Sequence, residues 1–119
     1  MRSQFVTYLL EQLAALGDVG AKSMFGGWGI YHEGRMFALV ADDTLYFKVD
    51  DSSRADFERE NLRPFRYEKT AQEVVVMSYY QPPAGAIDDR ELLCAWARKG
   101  IEAAGRAAEK KRAKPKRRK

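Results

Sequence analysis

A chain of 119 residues, 45% hydrophobic and 32% charged, has the length of one domain and enough apolar mass to bury a core without disulfides or a structural metal. Its single cysteine, Cys94, excludes an internal disulfide and fits a reducing, cytoplasmic setting, and no apolar run is long enough to span a bilayer. The net charge of +4 is unevenly placed: residues 106–119 hold nine Lys or Arg and one Glu, a net of +8, so residues 1–105, with 12 basic and 16 acidic groups, carry −4. This division sets the expected organisation, a folded domain over 1–105 and a disordered basic tail over 106–119.

The N-terminus carries Glu11 and a helical apolar period rather than a signal-peptide core. A first helix is expected from Gln4 to Leu16, with Ser3 as its N-cap, an apolar stripe of Phe5, Leu9, Leu13 and Leu16, and Gly17 as its end. Residues 24–49 then read as three short strands in series. The first spans Ala21–Phe25 and Trp28–His32, interrupted by Gly26, Gly27 and Gly29, which indicate a bulge, a bend or the close approach of another backbone. Glu33-Gly34 turns the chain into a second strand, Arg35–Ala41, and Asp42-Asp43 turns it into a third, Thr44–Val49. Strict alternation puts Phe37 and Leu39 on one face of the second strand and Met36, Ala38 and Val40 on the other, so this strand should be central and covered on both sides. In the third, Leu45, Phe47 and Val49 share one face while Tyr46 and Lys48 share the other.

Asp50, Asp51, Ser52 and Ser53 should cap a short helix over Ser53–Asn61 that Pro64 follows. Strands over Phe65–Lys69 and Val74–Tyr80 enclose a polar loop, and Pro82-Pro83 end the sheet. A last helix is expected from about Asp89, with Asp88 and Glu91 as a capping box and Leu92, Leu93, Trp96, Ala97, Gly100, Ile101 and Ala104 on its apolar stripe, fraying towards Pro115. The order α-β-β-β-α-β-β-α makes an α+β two-layer sandwich, a mainly antiparallel sheet packed by helices.

No residue set in the chain points to catalysis. The Gly-Gly-Trp-Gly run matches neither dinucleotide nor P-loop spacing and precedes a strand, so a bulged strand is the expectation rather than a phosphate loop. With one histidine, His32, and one cysteine, no standard zinc set is available in one chain; His32 reads as a surface or half-buried residue beside a hairpin, and Cys94 as a small core residue. The acid pairs sit at turns and helix starts, where local hydrogen bonding accounts for them. No cofactor and no enzymatic activity are expected.

Two features bear on binding. Tyr31, Tyr46, Tyr79 and Tyr80 fall where one sheet face or edge can collect them, either covered by helices or exposed to bases or a protein partner; Tyr46 and Tyr79 are the candidate partner-binding residues. The basic tail is the strongest signal. Lys110, Lys111, Arg112, Lys114, Lys116, Arg117, Arg118 and Lys119 are the candidate nucleic-acid-binding residues, with a solvated, solubilising end as the other reading. The tail has no aromatic residue, so any contact through it should be weakly sequence-selective.

The run MFGGWGIYHEGRMFALVADDTLYFKVD, followed in order by PFRYEK, MSYYQPP and DDRELLCAWARKGIEAA, resembles the N-terminal domain of the TfoX/Sxy family over about residues 3–104, with no obvious gap. The resemblance implies a compact α/β sandwich and a bacterial regulator of natural competence, a non-enzymatic co-activator that works with the cyclic-AMP receptor protein at promoters. Full-length regulators of this type carry a second, helical, DNA-associated domain. Here a short basic tail stands in its place, so the expectation is a stand-alone N-domain protein. Its expected partners are a transcription factor or RNA polymerase, and DNA through the tail, with a homodimer as a further option and no membrane.

Overall fold

The computed structural model describes residues 3–24 and 26–113, the last two by their backbone only. Helix α1 (Gln4–Gln12) leads through a 3-10 turn (Ala14–Leu16) into four strands, β1 (Val19–Met24), β2 (Gly27–His32), β3 (Arg35–Ala41) and β4 (Thr44–Lys48). Helix α2 (Arg54–Arg59), strands β5 (Pro64–Lys69) and β6 (Gln72–Tyr80), a 3-10 turn (Ala86–Asp88) and helix α3 (Arg90–Ala113) follow. All strand pairs are antiparallel, in the order β1-β2-β3-β4-β6-β5, and the helices lie on one side. The α+β class, the antiparallel sheet and the terminal helices agree with the sequence reading. No helix among the described residues is long and apolar enough to cross a membrane.

Local chemistry explains most boundaries. The Ser3 hydroxyl accepts the Val6 N–H at 3.0 Å and caps α1. The two-residue turns Glu33-Gly34 and Asp42-Asp43 hold both residues at positive φ, the geometry that matches strand twist in tight hairpins. Where a polar loop was expected, Thr70-Ala71 makes a third such turn, with φ of 51° and 67°.

Four differences from the sequence reading have physical causes. The strand expected across Gly26 is two strands: Met24 pairs with Gly27, and Gly26, at φ 79°, turns the chain between them. Gly27 also shows the expected close approach, since a Cβ there would lie 2.2 Å from the Val40 carbonyl oxygen. In β3, strict alternation fails. Ile30 pairs with Ala38 but Tyr31 pairs with Met36, so Phe37 is the extra residue of a bulge and turns into the helix-covered layer with Ala38 and Val40. The N-cap of α3 is Asp89, whose carboxylate accepts the Leu92 N–H at 3.1 Å, while Asp88 accepts the Tyr8 hydroxyl at 2.8 Å. Finally, α3, expected to fray into the basic segment towards Pro115, is helical as far as Ala113.

The core lies between α3 and the sheet. Phe37 and Phe47, both fully buried, stack at 6.2 Å beneath the helix. Each contributes about 1.5–3 kcal/mol by leaving water. Phe57 of α2 meets Trp96 at 4.8 Å and Tyr80 at 5.8 Å, closing the end of the core. Cys94 is buried, its thiol 3.5 Å from the Gln12 carbonyl oxygen. Gln12, also buried, donates to Ile87 O at 3.1 Å and accepts from Arg90, which ties α1 to α3.

Gly100 sets the separation of α3 from β3 and β4. A Cβ there would lie 2.9 Å from the Phe37 carbonyl oxygen, a backbone atom that cannot swing aside. Gly100→Ala gains about 1 kcal/mol of helix propensity but meets an overpacking cost of about 1–3 kcal/mol. The expected outcome is a lower urea midpoint with an unchanged slope, measured by circular dichroism; a raised midpoint would show that the helix can lift without cost.

Candidate interaction face and basic helix end

One-sided packing leaves the other face of the sheet free of helices. Pairing fixes its occupants: Lys22 lies opposite Gly29, Gly29 opposite Leu39, and Leu39 opposite Tyr46, while Tyr31 pairs with Met36 and Lys48 with Tyr79. The result is a surface of rings, thioethers and one aliphatic side chain, all half-buried, carrying two lysines. Gly29 forms its floor, since a Cβ there would lie 2.9 Å from the Met24 sulfur and 3.1 Å from both the Met36 sulfur and the Tyr31 ring. The Lys22 ammonium sits 5.0 Å from the centre of the Tyr31 ring, and that of Lys48 sits 5.3 Å from the Tyr79 ring, both within cation–π range. Burial pushes the phenols of Tyr46 and Tyr79 above their ordinary pKa; the Asp42 carboxylate adds to this at Tyr46 and Tyr31 adds to it at Tyr79.

The β5–β6 hairpin walls one end of this face. Pro64 pairs with Tyr80 but the next residue, Phe65, pairs with Val76, so β6 has three extra residues at this point and the hairpin changes direction. Its outer part turns so that Phe65 meets the Tyr46 ring at 5.0 Å and stacks on Tyr67 at 5.7 Å. A groove of about 790 Å³ runs between it and the sheet, lined by Met24, Trp28, Leu39, Asp42, Phe65 and Tyr67 among others. Glu68 and Glu73, with Arg66 in an ion pair to Glu73 at 3.2 Å, give this end mixed charge.

Both tyrosines singled out in the sequence, Tyr46 and Tyr79, lie on this face, and Tyr31 joins them. Tyr80 does not: it points into the core on the opposite side, and its hydroxyl donates to Glu58 at 3.0 Å. Lys22, Met24 and Met36 were not singled out for binding, and Gly29 was read only as a mark of a bulge, a bend or a close backbone approach. The pairing of Lys48 with Tyr46 on one side of β4 was legible from alternation, but which ring each lysine covers depends on pairing between strands. His32 is structural, its Nε2 3.0 Å from the Leu16 carbonyl oxygen and its ring edge-on to Phe37 at 6.4 Å.

The basic residues begin on the helix. Arg106 donates from Nε and Nη2 to the two oxygens of Asp50 at 2.7 and 3.0 Å, and Lys110 and Lys111 stand exposed on the following turn. Cations at a helix C-terminus are favoured by its dipole. Arg112 lies in the helix with its side chain undescribed, and Lys114, Lys116, Arg117, Arg118 and Lys119 lie outside the described residues.

The family profile described as the TfoX N-terminal domain matches residues 11–104, from the end of α1 to the middle of α3. The chain belongs to this family. Among curated proteins, the TfoX domain here is similar to a protein of Aliivibrio fischeri (strain ATCC 700601 / ES114) named DNA transformation protein TfoX1, with 34% identity over 65 residues. The match covers 55% of this chain and 31% of that protein, so it spans less than a third of the relative's length.

Asp50 is the electrostatic hinge of this TfoX chain. It accepts the N–H groups of Ser52 and Ser53 at 3.1 Å as well as the Arg106 guanidinium. The Arg106 hydrogen bonds, with its charge and the Ser53 contacts, outweigh desolvation and hold the carboxyl at about 2, below the usual 3.8. A depressed folded pKa contributes stability that is complete above the unfolded value and lost as pH falls from about 4 to about 2. Allowing for solvent screening, the expected cost of Asp50→Asn near neutral pH is about 1–2 kcal/mol in urea unfolding. The gap to the parent should close as pH falls through that window; a gap independent of pH would mean the carboxylate's charge contributes nothing.

Proposed function

We propose that this chain is an accessory regulator of transcription that acts through protein contacts, with a transcription factor or RNA polymerase, while its basic C-terminal segment associates with DNA without sequence preference. The reading is non-enzymatic and cytoplasmic. Membership of the TfoX family supports it, as does the name of the relative, DNA transformation protein TfoX1. The observation that carries it is the separation of charge, a body of net −4 and a terminal segment of net +8, with Arg106, Lys110 and Lys111 along the last turns of α3. A polycation of this kind gains affinity for a duplex by releasing condensed counterions, a term indifferent to base sequence.

The test is duplex binding across a salt series by the full chain and by a variant with Lys110, Lys111, Arg112, Lys114, Lys116, Arg117, Arg118 and Lys119 replaced by glutamine. Neutralising about five to eight phosphates gives log affinity a slope of roughly −4.5 to −7 against log salt, which the variant should lose. No binding by the parent at low salt would overturn the DNA part of the reading.

A second reading, a protein–protein adaptor or homodimer with no nucleic-acid role, draws on the helix-free face and on Tyr67, Val75 and Met77, which expose large apolar surface on the hairpin. Tyr46→Ser with Tyr79→Ser should then abolish assembly in sedimentation while leaving the thermal transition cooperative. Assembly that survives both changes would exclude that face.

A further inference from the structure

The helix-free face pairs two kinds of group in a way that the basic segment does not. Lys22 and Lys48 form no ion pair with a carboxylate among the described residues; each ammonium is held only against a tyrosine ring. Asp42, Glu68 and Glu73 line the groove at the hairpin end, while the paired positions Tyr31–Met36 and Lys48–Tyr79 are themselves uncharged or cationic. Tyr31 on β2 and Tyr79 on β6 lie on the same helix-free face, with β3 and β4 between them.

Rings beside cations without an ion pair on an open sheet face match a strand whose bases are free to stack and whose phosphates lie alongside. A duplex offers its grooves base edges, not ring faces. From β1 to β6 the face crosses four inter-strand steps, roughly 19 Å at the usual spacing, which is room for a few nucleotides. None of the side chains placed between Tyr31 and Tyr79, those of Tyr31, Met36, Lys48 and Tyr79, is an amide or carboxylate that would accept from a 2′-hydroxyl, so ribose gains no such contact there. We propose that this face binds single-stranded DNA, with Tyr31 and Tyr79 as stacking platforms and Lys22 and Lys48 moving from the rings onto phosphates. This site is separate from the basic helix end and does not depend on it.

Fluorescence anisotropy of the full chain with a labelled oligothymidylate of about 12 nucleotides, set beside a duplex of equal length, tests the proposal. Single strands should be preferred at moderate salt. Tyr31→Leu and Tyr79→Leu, which keep an apolar side chain in place, should each weaken single-strand binding about 5- to 100-fold and leave duplex binding unchanged. Lys22→Glu, at an exposed position, keeps the test independent of folding: single-strand affinity should fall, and Lys22→Gln should flatten the single-strand salt slope by about 0.7. Three results would overturn the proposal: equal binding of duplex and single strand, single-strand affinity unmoved by the tyrosine and lysine changes, or a dimer that Tyr31→Leu dissociates, which would make the occupant a second copy. Tighter binding of oligouridylate would overturn the assignment to DNA. Loss of duplex binding in the glutamine variant bears only on the helix end.

Discussion

The fold depends on how closely α3 lies on β3 and β4, and that distance is set by the absence of a side chain at residue 100. The helix backbone comes within a Cβ's reach of the Phe37 carbonyl, and Phe37 and Phe47 fill the space on either side of the contact. A bulge is what makes Phe37 available. In a regular strand it would face away from Ala38 and Val40; as an extra residue it joins them and takes the core place that regular pleating would give to Met36. Close approach and bulge therefore act together.

Spending Phe37 on the helix side leaves the other face of β3 with Met36 and Leu39, and no helix covers them. Flexible thioethers, a glycine floor and tyrosines with polar tips tolerate such a half-wet position better than a layer of phenylalanines would. The hairpin supplies partial cover, because the three-residue irregularity in β6 redirects its outer part and seats Phe65 on Tyr46. Its edge strand β5 begins at Pro64 and carries Arg66, Glu68 and Lys69, residues that discourage another chain from pairing there.

The sequence made those features legible that arise from near neighbours. Ser3, Glu33-Gly34, Asp42-Asp43 and the prolines after Tyr80 act within a few residues of themselves, and each boundary they mark is where local chemistry puts it. The misread features are decided at a distance. Whether Gly26 bends one strand or separates two depends on the pairing of Met24 with Gly27. The bulge at Phe37 has no glycine to announce it; it follows from what α3 and β2 require. Residues 106–113 read as a charged tail by composition, although Ala107, Ala108, Glu109, Lys110 and Lys111 are good helix formers and the partner that anchors the segment, Asp50, is 56 residues away. On the open face, alternation placed Tyr46 with Lys48, but the ring each lysine covers is a property of strand order.

The continuation of α3 also changes the mechanics of the basic end. A disordered tether would let the first cations sample a broad volume around the body and would transmit no orientation. Residues 106–113 instead extend the helix by about 12 Å as a stiff rod, clamped at its base where Arg106 grips Asp50. Lys110 and Lys111 are thus presented at a fixed azimuth and distance from the sheet. Torque applied at the rod's end is felt first at the loop between β4 and α2, where Asp50 lies.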